Sequence, residues 1–446
     1  MQVPARQKVV YGVGAFGYGS VNQMIGNYLM FFGTSILGLS GTLMGLAMGI
    51  STVWDAVTDP VVGALSDRCR LRFGQRHTFM LVGCVGVAIL NLLIWRINPG
   101  WSELGKFCAL LGSLLLMETL NTVWSTPYAA LGFDMCQGYY ERTSIQSYKT
   151  VFQSAALIVP SVLMALVLAP QQYVTINTTT EGYQQIALIT SSLCVITGLI
   201  TIFGTHQYRQ VGRAVSATPS PQTSFFATFF GILRVKNNVF LIVAYAVALS
   251  CSALITTLGM HIFTYTFHFS SVQIPIVMGC LVAGVIAGQP LWCKISTRLG
   301  KKDTVLMALS VVVVGVVIFA FILTARLLLA PGMLLGLVAA DIFMISVGVG
   351  CIYSLPISMF ADNINLESTA MATGFLTLCT KGTNALVTML VGMLLDVIGF
   401  QSGIATQNPT VCTALGWLLV GGVALAAVCA WCLFGKYQDK TAPHQV

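Results

Sequence analysis

Asp55 and Asp59 stand four residues apart in the stretch Val53-Trp54-Asp55-Ala56-Val57-Thr58-Asp59-Pro60. On a helix that spacing stacks them one turn apart on a single face. Two unpaired carboxylates so close cannot both stay ionised in a low-dielectric setting. Either one carries a proton, or a cation or a basic side chain sits between them. Lys381, within Thr377-Leu378-Cys379-Thr380-Lys381-Gly382-Thr383-Asn384, is a single ammonium in an apolar stretch and needs a carboxylate, for which Asp55 and Asp59 are the candidates. Glu118 and Asp341 are two more acids in apolar surroundings, and Thr122 follows Glu118 by one helical turn, where its hydroxyl is a neutral ligand for an ion. Catalytic chemistry is not expected. The five histidines are scattered, and neither an HExxH spacing nor a Ser-His pairing occurs.

These residues must be positioned by elements that lie in lipid. Of 446 residues, 56% are hydrophobic and 8% charged, too much apolar surface for one soluble core. A membrane span takes about 20 apolar residues, and such stretches recur over 9–36, 42–65, 78–97, 106–131, 151–169, 185–204, 239–265, 272–295, 304–325, 329–358, 368–394 and 412–434. The expected fold is therefore an all-α polytopic membrane protein with twelve transmembrane helices. The first stretch has the length of a span and is expected to stay as one, in contrast to a cleaved leader. The 13 cysteines are an odd number and mostly fall inside spans, where a thiol behaves as a small hydrophobe, so no disulfide framework follows. In such a setting an ionisable side chain costs about 2.5–3.5 kcal/mol at the centre of a span, which makes each one a candidate for function.

The net charge of +8 is a topology signal. Arg6, Lys8, Arg68, Arg70, Arg72, Arg76, Arg142, Lys149, Arg209, Arg213, Arg234, Lys236, Lys294, Arg298, Lys301, Lys302, Lys436 and Lys440 all fall on one side of the bilayer if both termini are cytoplasmic. That bias predicts a multi-pass protein of the cell inner membrane with cytoplasmic termini, and it leaves no basic excess to explain by a nucleic-acid partner. The longest cytoplasmic break, rich in Pro, Ser and Thr, separates six spans from six. The division expected is 1–205 as an N-terminal six-helix bundle holding the cation site, 206–238 as a linker and 239–446 as a C-terminal six-helix bundle. Basic turns containing Gly74 and Gly300 follow the second span of each half, about half a chain length apart, as two parallel six-helix repeats require. Their charges are expected to meet acids or helix C-termini across the cytoplasmic closure of the halves, with Asp67, Asp134, Glu141 and Asp362 as the acids at hand.

The stretch Trp54-Asp55-Ala56-Val57-Thr58-Asp59-Pro60, Gly63 and the basic loop Asp67 to Arg76 together resemble the second-helix signature of the glycoside–pentoside–hexuronide cation symporters, the melibiose permease-like branch of the major facilitator superfamily. Tyr11-Gly12-Val13-Gly14-Ala15-Phe16-Gly17, Glu141-Arg142-Thr143, Gln289-Pro290-Leu291-Trp292 and Lys381-Gly382 are similar to further family segments, in the family's order. The resemblance implies two six-helix bundles giving alternating access to a central site, with Asp55 and Asp59 binding the coupling cation. It also implies neutral oxygens from Thr58 and Thr122, and Lys381 as the charge partner. Sodium or a proton would be the coupling ion, with no other cofactor. The expected partners are the bilayer, that cation and a small-molecule solute, with a sugar as the family expectation. Where sugar-binding members carry acids, however, this chain has Gly19 and Ser125. Trp124 and Tyr128 share a helix face and could stack on a ring, and Glu118, Lys149, Asp341 and Tyr353 complete the solute-site candidates. The function expected is cation-coupled symport of a sugar or sugar derivative, with an amphipathic solute such as a lysolipid as the alternative.

Overall fold

The computed structural model describes residues 3–68, 75–135, 139–168, 180–208, 236–362 and 369–438, and among them every regular element is helical. The first unit, Met1–Pro221 with Ser402–Ala405, holds α1 (Ala5–Phe31), α2 (Gly41–Arg68), α3 (Gln75–Ile94), α4 (Glu103–Asp134), α5 (Tyr139–Ala156), α6 (Val159–Leu168) and α7 (Glu181–Gly204). The second, Gln222–Gln401 with Thr406–Val446, holds α8 (Lys236–His261), α9 (Gln273–Leu299), α10 (Lys301–Ala325), α11 (Pro331–Ile352), α12 (Leu355–Asp362), α13 (Thr369–Val397) and α14 (Pro409–Lys436). Among the described residues ten helical runs are long and apolar enough to cross a membrane. The more polar α1 and α2, at 27 and 28 residues, have the same reach and complete twelve spans, six in each unit.

Two spans expected as single helices are broken. The fifth is α5 followed by α6, and the tenth is α11 followed by α12. In both, a proline is the second residue of the new helix, Pro160 in α6 and Pro356 in α12. Proline donates no N–H and its ring clashes with the carbonyl four residues back, so a helix can restart on it more easily than run through it. The gaps close with short-range bonds, Leu157 N–H to the Ser154 carbonyl at 3.2 Å and Ser354 N–H to the Cys351 carbonyl at 3.1 Å.

Within the first unit, α1 packs on α5 and α7, α2 on α4, and α3 on α4 and α7. Within the second, α8 packs on α13 and α14, α9 on α11, and α10 on α11 and α14. The two patterns are the same. Local detail repeats as well, at an offset of 230 residues (262 − 32): α1 runs into a π-helical turn over Phe32–Ile36, and α8 into one over Ile262–Thr266. After each turn comes one left-handed residue, Gly38 at φ 68° and His268 at φ 53°, and then a serine whose Oγ accepts an N–H of the next helix, Ser40 from Leu43 and Ser270 from Gln273. The halves are therefore two copies of one six-helix topology.

Lipid offers no hydrophobic gain from packing one apolar helix on another, so contact rests on small residues and polar bonds. A Cβ on Gly17 would stand 2.6 Å from the Leu193 carbonyl oxygen, which shows how closely α1 approaches α7. A Cβ on Gly284 would stand 2.6 Å from the Phe343 carbonyl oxygen, which shows the same for α9 and α11. Asn91, fully buried on α3, donates to Ser191 at 2.9 Å and to Thr190 at 3.2 Å on α7, and accepts from Trp95 Nε1 at 3.0 Å.

Candidate cation and solute site

The packing of α2 on α4 brings together residues more than sixty positions apart in the chain. Thr122, 1% exposed on α4, places Oγ1 3.0 Å from Asp55 Oδ1 and 3.1 Å from Asp59 Oδ1 on α2. The same oxygen lies 3.1 Å from the Glu118 carbonyl and 3.4 Å from Thr58 Oγ1, while Thr58 Oγ1 itself donates to the Asp55 carbonyl at 3.1 Å. A hydroxyl has one hydrogen to donate. It can satisfy one of these acceptors at a time, and the other contacts set lone pairs against lone pairs beside two carboxyl groups. A proton on one carboxyl, or a cation among the oxygens, removes that conflict. The donor set is oxygen only, as a hard cation requires. Among the described residues no group of three or more His, Cys, Asp or Glu is arranged to hold a metal ion. Trp54 on α2 fixes the register by donating from Nε1 to Thr119 Oγ1 at 3.0 Å.

The cluster extends to residues that sequence reasoning missed. Asn121 donates from Nδ2 to Glu118 Oε2 at 3.0 Å. The Tyr18 hydroxyl on α1 lies beside Asn22 and Ser125, within electrostatic reach of Glu118 and Asp55. A signal for them existed. Tyr18 and Asn22 are four apart on α1, and Glu118, Thr122 and Ser125 recur at four and three on α4, a polar stripe along otherwise apolar helices.

The aromatic candidates are engaged with one another. Tyr128 stacks on Tyr11 at 4.6 Å and on Trp124 at 5.4 Å between ring centroids, and Trp124 tilts against Tyr18 at 6.3 Å. The Tyr128 hydroxyl donates to the Tyr11 carbonyl at 2.7 Å, and the Tyr11 hydroxyl to the Tyr128 carbonyl at 3.1 Å. Trp124 and Tyr128 thus join α4 to α1, 1% and 2% exposed, with no ring face turned out. Gly19 lies where α1 meets the end of α5, and a Cβ there would stand 2.9 Å from the Ala156 methyl. Lys149 sits on α5 with Nζ 5.4 Å from the Tyr128 ring centroid, a cation held over a π face.

In the second unit Lys381 lies near the middle of α13, half-buried. The Tyr353 hydroxyl, between α11 and α12, lies 2.5 Å from Ser252 Oγ on α8. Asp341 is 4% exposed inside α11, so in this conformation it offers no oxygen to a solute. Arg76 meets Asp134 within its own unit, Nε to Oδ2 at 2.5 Å, and Lys8 meets Glu141 there at 3.1 Å. In the second unit Lys302 donates to the Gly435 and Tyr437 carbonyls at 2.8 and 2.6 Å, at the C-terminus of α14, and Lys301 to Ser358 Oγ at 2.8 Å. The side chains of Asp67, Arg142 and Asp362, and residues 69–74 of the first basic loop, lie outside the described residues.

Residues 10–438 match the family described as MFS/sugar transport protein. The chain is 27% identical to an uncharacterized symporter, YnaJ, of Bacillus subtilis over 74% of this chain and 71% of that protein. It is 21% identical to an isoprimeverose transporter of Lactiplantibacillus pentosus over 99% of this chain and 90% of that protein, and 22% identical to a sodium-dependent lysophosphatidylcholine symporter of Danio rerio over 91% and 80%. With other curated symporters the match is partial, as with sll1374 of Synechocystis, 32% identical over 37% of this chain and 32% of that protein. In fold, the chain is similar to a bacterial homologue of the iron transporter ferroportin, with a TM-score of 0.71 at 14% identity over 98% of this chain and 99% of that one. A bacterial homologue of the lysosomal transporter Spinster gives 0.69 at 13% identity over 99% and 100%. The chain belongs to the MFS/sugar transport protein family, as a transporter of the glycoside–pentoside–hexuronide:cation symporter type with twelve spans in two six-helix bundles of the major facilitator fold.

Proposed function

We propose that this transporter couples the inward movement of sodium or a proton to uptake of a sugar derivative by alternating access, in the inner membrane and with both termini cytoplasmic. The observation that carries the reading is the set of oxygens that α2 and α4 bring together, with the Thr122 hydroxyl beside both Asp55 and Asp59, the donor type a hard cation takes. Asp55, Asp59, Thr58 and Thr122 hold the ion, and Lys381 balances the aspartates when the ion has left. The solute meets Ser125, Glu118 and Lys149, together with Tyr18 and Asn22. Lys149 makes no ion pair among the described residues, and the acids of sugar-binding relatives are replaced by Gly19 and Ser125. Loss of two negative charges beside a retained positive one favours a solute bearing a carboxylate or phosphate. A second reading, a lysolipid, is favoured by the similarity to the Danio rerio symporter over 91% of the chain.

Purified protein in liposomes, given inward sodium or proton gradients, separates these readings. A neutral glycoside, a sugar acid and lysophosphatidylcholine form the solute panel. Concentrative uptake of the sugar acid under one gradient is the expected outcome. Uptake of lysophosphatidylcholine in its place would transfer the assignment to lipid, and uptake indifferent to both gradients would remove the coupling.

A further inference from the structure

Asp341 stands apart from the site just described. It lies ten residues into α11, about 15 Å from that helix's start at a rise of 1.5 Å per residue, and so near the middle of a span about 30 Å thick. It is 4% exposed, and neither carboxyl oxygen has a hydrogen-bond partner among the described residues. Register explains its surroundings. A Cβ on Gly315 of α10 would press on Ile345, and one on Gly348 would press on Val312, so one face of α11 lies against α10. Asp341 is one turn before Ile345 on that face, level with Phe319. Phe319, Ile342 and Ile345 line an apolar cavity together with Ile255 of α8 and Leu419 and Val423 of α14.

Acidic and basic side chains on the helices packed against α11 lie near helix ends. They are Lys294 and Arg298 on α9, Lys301, Lys302 and Asp303 on α10, Lys236 and His261 on α8, and Asp362 on α12. Of the uncharged titratable groups, Cys280 of α9 falls near the level of Asp341, whereas Tyr245 and Cys251 of α8, Cys293 of α9, and Cys351 and Tyr353 lie at other levels or toward the helix ends. None supplies a counter-charge at neutral pH. A carboxylate buried without a partner costs far more than a neutral carboxylic acid in the same place. A lone carboxyl among Val, Ile and Phe also lacks the further oxygens that a metal cation needs.

We propose that Asp341 is a proton-binding site of the second unit: a neutral carboxylic acid in this conformation, distinct from the Asp55 and Asp59 pair, which exchanges its proton with water only when α11 is wetted. The inference does not depend on the identity of the solute. Infrared spectra of the purified full-length protein at neutral pH, in water and in deuterium oxide, test it. The carbonyl stretch of a protonated carboxylic acid should be present, should shift in deuterium oxide, and should lose one group's intensity in Asp341→Asn. Asp341→Leu, which removes the buried polar group altogether, should lose the same intensity and serves where the amide variant misfolds. Equal protonated-acid intensity in the wild type and in a folded variant would overturn the proposal. Failure of sodium-driven uptake would bear only on the coupling site and leave this result standing.

Discussion

The contact of α2 with α4 and the contact of α9 with α11 are the same contact in the two repeats, filled in opposite ways. In the first unit Asp55, Thr58 and Asp59 face Thr122. In the second, at the 230-residue offset, the residues that match Asp55, Thr58 and Asp59 are Val285, Gly288 and Gln289, and they face Gly350, two positions before Ile352, the match of Thr122. A Cβ on Gly350 would stand 2.7 Å from the Val285 carbonyl oxygen and 3.2 Å from the Gly288 Cα. One copy sets four oxygen-bearing side chains between its helices, and the other closes them backbone to backbone. Polar bonds and small residues are the two means of joining helices in lipid, and the duplication has assigned one to each unit. A site for a charge is costly in a span.

Substitutions that break this contrast should differ in kind as well as in size. Asp59→Cys removes one of the two carboxylates and is expected to abolish cation-driven accumulation while downhill solute exchange survives, read in vesicles with and without a sodium gradient. Full accumulation in that variant would sink the ion-site assignment. Gly350→Thr, which puts a hydroxyl-bearing side chain into the closed contact, should drive side-chain atoms into the α9 backbone and cost about 1–3 kcal/mol by overpacking, seen as a lower melting temperature in detergent. An unchanged melting temperature would show that α9 and α11 separate freely. Thr122→Val keeps the shape and deletes the oxygen. It should leave the fold intact and weaken sodium binding about tenfold, measured as the sodium dependence of uptake. The smallest effect expected is at the π-helical turns, where Gly38 and His268 hold the same left-handed position. His268→Gly relieves a strain of about 1–2 kcal/mol, part of which glycine returns as chain entropy, so a gain of about 0.5–1 kcal/mol remains. Gly38→Val should lower stability, and equal melting temperatures for both variants would mean that the turns relax.

Several helix starts carry local signals that the expected span bounds at 106, 329 and 412 did not use. Ser102 caps α4 by accepting from Gly105 N–H at 3.2 Å, Asn408 caps α14 from Thr410 N–H at 3.3 Å, and α11 and α14 begin on Pro331 and Pro409. These are local signals, complete within a few residues. Pro160 and Pro356 carried a local signal of the same sort, and the breaks they mark were missed because the apolar run continues through them. The stacking of Asp55 on Asp59 was likewise readable, since helical periodicity alone puts them on one face. Trp124 and Tyr128 show where periodicity stops: the sequence placed both rings on one face of α4, but the partner across that face, Tyr11, lies 117 residues away from Tyr128.

The lipid environment, the number of spans, the duplication and the identity of the acids were settled by the sequence, because hydrophobic length, charge bias and spacing are sums over neighbouring residues. That one hydroxyl on α4 serves two carboxyls on α2, that Tyr18 and Asn22 join them, that the matching contact in the second unit is closed by Gly350, and that Asp341 is sealed from water were settled by tertiary structure. Each depends on the distance and rotation at which two helices pack. In lipid, that is decided by which small side chains let backbones approach and which polar ones hold them apart.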